Sequence, residues 1–94
     1  WAAGLRAPAM QAILLELARA WLNALERVIR DGVAAGEFTC PDPAASAERL
    51  DALLDGLMVR NTVHPGAVSR KRLLEHVRTA AAREVGLRRE DFPT

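Results

Sequence analysis

The strongest constraint on this chain is one long helical pattern. It opens at Pro8, suited to a first helical position, and runs to about Ala35, where Gly36 supplies a stop. On a wheel at 100° per residue, Met10, Leu14, Leu17, Trp21, Leu25 and Val28 form a main stripe that Gly32 continues, and Leu15, Leu22, Ile29 and Val33 form a second row beside it. Glu16, Arg19, Asn23, Glu26, Arg27 and Arg30 fill the polar side. An apolar arc of about half the circumference is wider than a helix packed on one side requires. Such a helix needs neighbours on two sides, and Trp21 is read as core, with a ligand platform as its alternative. Trp1–Arg6 look like the tail of an earlier helix broken at Gly4 or Pro8, and a start at Trp1 rather than Met suggests a fragment of something longer.

Two further helices follow. Asp42-Pro43 pairs an N-cap with a proline at the first position and opens a helix to about Val63, because Pro65 biases His64 out of helical geometry. Its core stripe is Ala47, Leu50, Leu53, Leu54, Leu57 and Met58. A second seam of small residues, Ala45, Ala52, Gly56, Val59 and Val63, suggests close approach by another helix, since a mid-helix glycine costs about 1 kcal/mol relative to alanine. Ser69 caps a third helix to about Val85, with Leu73, Leu74, Val77, Ala80, Ala81 and Val85 on one face and Gly86-Leu87 as a Schellman ending. Arg88–Thr94 is expected to fray unless Phe92 finds a pocket. The expectation is an all-α, antiparallel-leaning bundle over approximately 8–35, 43–63 and 69–85, a single domain with a radius of gyration of roughly 12 Å.

Composition supports that class. Of the 94 residues, 18 are Ala and 13 Leu, Tyr is absent, and strand-forming residues are few, which excludes an all-β fold. No apolar run approaches the ~20 residues of a membrane helix, so no membrane partner is expected. The one cysteine, Cys40, cannot make an intrachain disulfide and fits a reducing cytoplasm. A net charge of +1 is too small for a nucleic-acid footprint over the whole domain.

Catalysis has little to stand on. His64 and His76 are 12 residues apart on different helices. His76 is read as solvated, and His64 as a helix-end hydrogen bonder, with a ligand contact as its alternative. Cys40 has no neighbouring histidine to activate it. Asp51 and Asp55 sit one turn apart without a third ligand, and Arg70-Lys71-Arg72 lacks an aromatic platform, so both are read as solvated faces. No cofactor and no metal are expected. Asn61 falls inside the apolar stripe, where its amide caps the helix, fixes register or faces a ligand cavity.

The order of motifs carries a resemblance. A long amphipathic helix ends in Asp31-Gly32-Val33-Ala34-Ala35-Gly36-Glu37-Phe38, Asp42-Pro43 opens a helix carrying Leu53-Leu54-Asp55-Gly56-Leu57, and Ser69 caps a last helix with Arg72-Leu73-Leu74 behind it. Over residues 1–87 this resembles the C-terminal regulatory domain of tetracycline-repressor (TetR) type transcription factors. The resemblance implies a small-molecule-sensing and dimerising domain of a bacterial repressor, in which the last two helices of each subunit build a four-helix dimer interface. DNA would be contacted only through an N-terminal helix-turn-helix that this sequence lacks. A stand-alone helical module that binds a partner helix in a groove is the alternative.

Residue expectations follow from both readings. A small hydrophobic effector would lie between Leu14, Leu17, Trp21 and Leu25 of the first helix and Leu50, Leu57 and Asn61 of the second. A homodimer would be built from Ala52, Gly56, Val59 and Val63 with Leu73, Val77, Ala80 and Ala81. Glu84, on that last face, would need a basic partner, for which Arg60 of the second copy is the candidate.

Overall fold

The computed structural model describes residues 2–88 and 91. It contains three helices, α1 (Ala2–Ala34), α2 (Pro43–Val63) and α3 (Arg70–Glu84), and no strand among the described residues. The two later helices start where their caps place them. The Asp42 carboxylate accepts from the Ala45 N–H at 3.1 Å, and the Ser69 hydroxyl accepts from the Arg72 N–H at 3.2 Å. Both satisfy donors that a helix start leaves without partners.

The stops are glycine-based. Gly36 and Gly86 have φ of 77° and 73°, in the left-handed region that glycine enters without steric cost. Glu37 N–H then donates to the Gly32 carbonyl at 2.9 Å and Leu87 N–H to the Ala82 carbonyl at 2.8 Å, the six-to-one bond of a Schellman ending in each case. Leu87 folds back onto the core.

One boundary differs from expectation. There is no break at Gly4 or Pro8, and α1 runs unbroken from Ala2 with Pro8 inside it. Pro8 has no N–H to give the Gly4 carbonyl, so one bond of the ladder is missing, but that loss does not end the helix. Trp1, Phe92 and Pro93-Thr94 lie outside the described residues.

Packing is uneven along the molecule. Ile29, Cys40, Ala47 and Val85 form the buried centre, with Leu22, Leu25, Phe38, Leu50 and Leu87 against it. Only the C-terminal part of α1 takes part. There Leu22 and Ile29 of the second row and Leu25 and Gly32 of the main stripe seal the chain, while Leu15 and Val33 of the second row are exposed. The rest of the main stripe stays open: Leu14, Leu17, Val28 and Trp21 are exposed, Trp21 by 54%. Trp21 is therefore surface, contrary to its reading as core, because α1 and α3 do not pack on each other and no described residue covers that side. The free half of α1 also explains the elongated shape, 54 × 32 × 18 Å with a radius of gyration of 16.2 Å.

The loop between α1 and α2 is held at its middle, by Phe38 and Thr39. The Phe38 ring sits so close to Gly32 that a Cβ there would lie 2.8 Å from its Cγ. Thr39 N–H donates to the Val85 carbonyl at 2.9 Å, tying the loop to the end of α3. Gly86 leaves room for that tie, since a Cβ on it would lie 3.1 Å from the Thr39 carbonyl oxygen.

Candidate functional site

The expected effector wall divides into three places. Leu14, Leu17 and Trp21 stand exposed on the projecting half of α1. Beside them Ala12, Ile13, Glu16, Leu17 and Ala20 outline a shallow depression of about 430 Å³. Leu25 and Leu50 are packed in the core instead. Leu57 borders a different groove, of about 410 Å³, between α2 and α3, with Ala52, Leu53, Gly56, Arg60 and His76.

Asn61 has a defined structural task. Its Nδ2 donates to the Val68 carbonyl at 2.9 Å, and its Oδ1 accepts from the Val68 N–H at 2.8 Å. The amide thus clasps the loop that turns the chain from α2 to α3 and buries Val68. His64 ends α2, its backbone N–H donating to the Arg60 carbonyl at 2.9 Å, with the residue itself exposed.

The outer row of α2 is open. Ala52, Gly56, Val59 and Val63 are exposed, and a Cβ on Gly56 would meet nothing within 4 Å. No close approach to Gly56 occurs within the chain. Leu73, Val77, Ala80 and Ala81 are half-buried, α3 being packed on α2.

Glu84 does have a basic partner, but it is Arg49 of the same chain rather than Arg60 across an interface. Arg49 Nη2 and Nε donate to Glu84 Oε1 and Oε2 at 2.7 and 2.8 Å, a two-pronged pairing. Ser46, 2% exposed, donates its hydroxyl to Glu84 Oε1 at 2.8 Å and accepts from the buried Cys40 thiol at 3.2 Å. The Arg49 fork holds the Glu84 carboxyl below its ordinary pKa; partial burial opposes this and the Ser46 hydroxyl assists it. Arg49 is raised in turn, chiefly by the same hydrogen bond. Sequence reasoning missed Ser46 and Arg49. The available signal was their position on the side of α2 occupied by Leu53, but the register of α2 against α3 was needed to pair them with Glu84.

Cys40 is buried and its thiol is committed to Ser46. Among the described residues no group of three or more His, Cys, Asp or Glu side chains could hold a metal ion, and no helix is long and apolar enough to cross a membrane. What the molecule presents is apolar surface, one row along α1 and another along α2, on an all-helical frame. Residues 1–86 match the family described as BetI-type transcriptional repressor, C-terminal. The chain belongs to that family. The match covers all three helices of this BetI-type domain, which is a regulatory domain of a TetR-type transcriptional repressor. Neither the curated proteins nor the solved structures yield a match to it.

Proposed function

We propose that this BetI-type domain senses a small hydrophobic molecule and dimerises, and that it has no enzymatic activity. The observation that carries this reading is the apolar row of α1: Met10, Leu14, Leu17, Trp21 and Val28 are each more than half exposed. Contiguous apolar surface of that kind marks a binding face. In the proposal Leu14, Leu17 and Trp21 form the α1 wall of the effector site. Leu25 and Leu50 support it from the core, and Leu57 and Asn61 lie further along α2. Because Asn61 is engaged with Val68, the effector's polar group is not assigned to it. DNA would be contacted by a segment outside this chain, in the cytoplasm, and effector binding would act by shifting the population of conformations that carry it.

The dimer is proposed on the outer face of α2 and α3, with Ala52, Gly56, Val59 and Val63 at its centre and Leu73, Val77, Ala80 and Ala81 supporting α3 beneath. Two experiments test these claims. In the intact protein, a panel of hydrophobic compounds is titrated while tryptophan emission is followed, and the change due to Trp21 is taken as the difference from a Trp21→Phe variant. At least one compound should move the emission; an unchanged spectrum across the panel overturns Trp21 as a wall. Sedimentation of Gly56→Leu addresses the dimer. The monomer has open space at Gly56, so helix content should be unchanged while the dimer weakens. A variant as tightly dimeric as its parent puts the interface elsewhere.

A further inference from the structure

α1 and α3 do not pack on each other; each packs on α2 instead. Three consecutive residues of the α1–α2 loop nevertheless join the ends of these two helices. Phe38 grips α1 twice. Its N–H donates to the Gly32 carbonyl at 3.1 Å, and its ring fills the space that a Cβ on Gly32 would need. Thr39 grips the end of α3, its N–H donating to the Val85 carbonyl at 2.9 Å. A Cβ on Gly86 would lie 3.1 Å from both the Cβ and the carbonyl oxygen of Thr39, so the two backbones run close together there. Cys40 is buried and donates its thiol to the Ser46 hydroxyl at 3.2 Å, and that hydroxyl donates in turn to Glu84 of α3 at 2.8 Å.

These grips are not independent. The peptide plane between Phe38 and Thr39 turns as a unit, so any rotation of the Phe38 backbone re-aims the Thr39 N–H. An N–H···O bond weakens steeply once it is bent below ~120°. A displaced α1 end carries the Gly32 carbonyl with it, and Phe38 follows or loses its bond. Coupling between two places requires an element with two arrangements that both places bias. Here one arrangement has Phe38 seated on Gly32 with Thr39 bonded to Val85, and the other has both released.

We propose that residues 38–40 are a strap coupling the C-terminal end of α1 to the end of α3, so that the two ends tighten or loosen together without packing of one helix on the other. With the effector wall on α1, the strap carries a change there to α3. That use rests on the reading above, whereas the coupling itself is measured with no effector present, so either can fail alone.

Amide hydrogen exchange of the intact protein, resolved residue by residue by nuclear magnetic resonance, tests the strap. Rates are taken relative to the slowest core amides of each variant, which removes the change in global stability. Gly32→Ala displaces Phe38 and should speed exchange at Thr39 about tenfold or more; Phe38→Leu, a milder change, should act in the same direction. Asn61→Ala is the control: it releases Val68 at the far end of α2 and should leave the relative rate at Thr39 unchanged. Coupling is reciprocal, so Gly86→Ala, whose methyl group presses on Thr39, should speed exchange at the Phe38 amide in turn. A Thr39 amide unmoved by both Gly32→Ala and Phe38→Leu overturns the strap. So does Asn61→Ala moving it as far as Gly32→Ala does, or a Phe38 amide that stays protected in Gly86→Ala while Thr39 loosens.

Discussion

Replacing Gly32 by Ala sets two physical effects against each other. Helix propensity alone favours Ala inside α1 by about 1 kcal/mol. The structure opposes it: the new methyl group would lie 2.8 Å from Phe38 Cγ and nearer still to one edge of the ring. Tightly packed sites that receive an extra methyl lose about 1–3 kcal/mol. Here the obstacle is a whole aromatic ring packed on the core, so the upper part of that range applies. Expelling Phe38 instead would expose a side chain whose full burial is worth about 1.5–3 kcal/mol. Net destabilisation of about 1–2 kcal/mol is expected, with a drop in Tm of about 4–8 °C for each kcal/mol in a domain of this size. Thermal unfolding followed at 222 nm, at one fixed protein concentration, measures it. Phe38→Leu in the same background should remove about 1 kcal/mol or more of the Gly32→Ala penalty, the coupling expected of residues in contact. A Gly32→Ala protein as stable as its parent, or more so, would mean that Phe38 does not seal the end of α1.

The remaining predictions concern the rest of the frame. Ile29→Ala should cost about 2–4 kcal/mol, whereas Trp21→Ala should change stability by about 0.5 kcal/mol or less; urea unfolding of the pair reveals which of the two residues is core. Asn61→Ala leaves the Val68 N–H and carbonyl without their partner and should cost about 1–3 kcal/mol, with faster hydrogen exchange at Val68. Glu84 has a folded pKa below its unfolded one, so its contribution is present above the unfolded value and is lost as pH falls through the folded value. Acid unfolding of Glu84→Gln should accordingly show a shallower loss of stability across the acidic range than the parent; an identical pH profile would mean the fork with Arg49 stabilises nothing.

Local chemistry was the readable part of this chain. Asp42-Pro43 and Ser69 set two helix starts, and Gly36 and Gly86 two stops, through interactions that span only a few residues. Pro8 was misleading because a proline suits a first turn and yet does not always end a longer helix. Which residues of the two rows are buried could not be read from composition, both rows being apolar; Leu22, Leu25 and Ile29 pack on the core, whereas Leu14 and Leu17 of one row and Leu15 of the other are exposed. Glu84 was recognised as a carboxylate needing a base. Its partner Arg49 lies 35 residues away, on a helix whose register no local pattern determines.

The uneven support of α1 has a mechanical consequence. The helix is clamped at one end, from Leu22 to the Phe38 seat, and residues 7–21 stand exposed over about 22 Å of helix beyond it. A rotation of about 10° at the clamp moves the end of that stretch by about 4 Å, while the clamped residues shift by less than the width of an atom. Small rearrangements beside Ile29 and Gly32 are thereby geared up into displacements large enough to reposition whatever is attached to the other end.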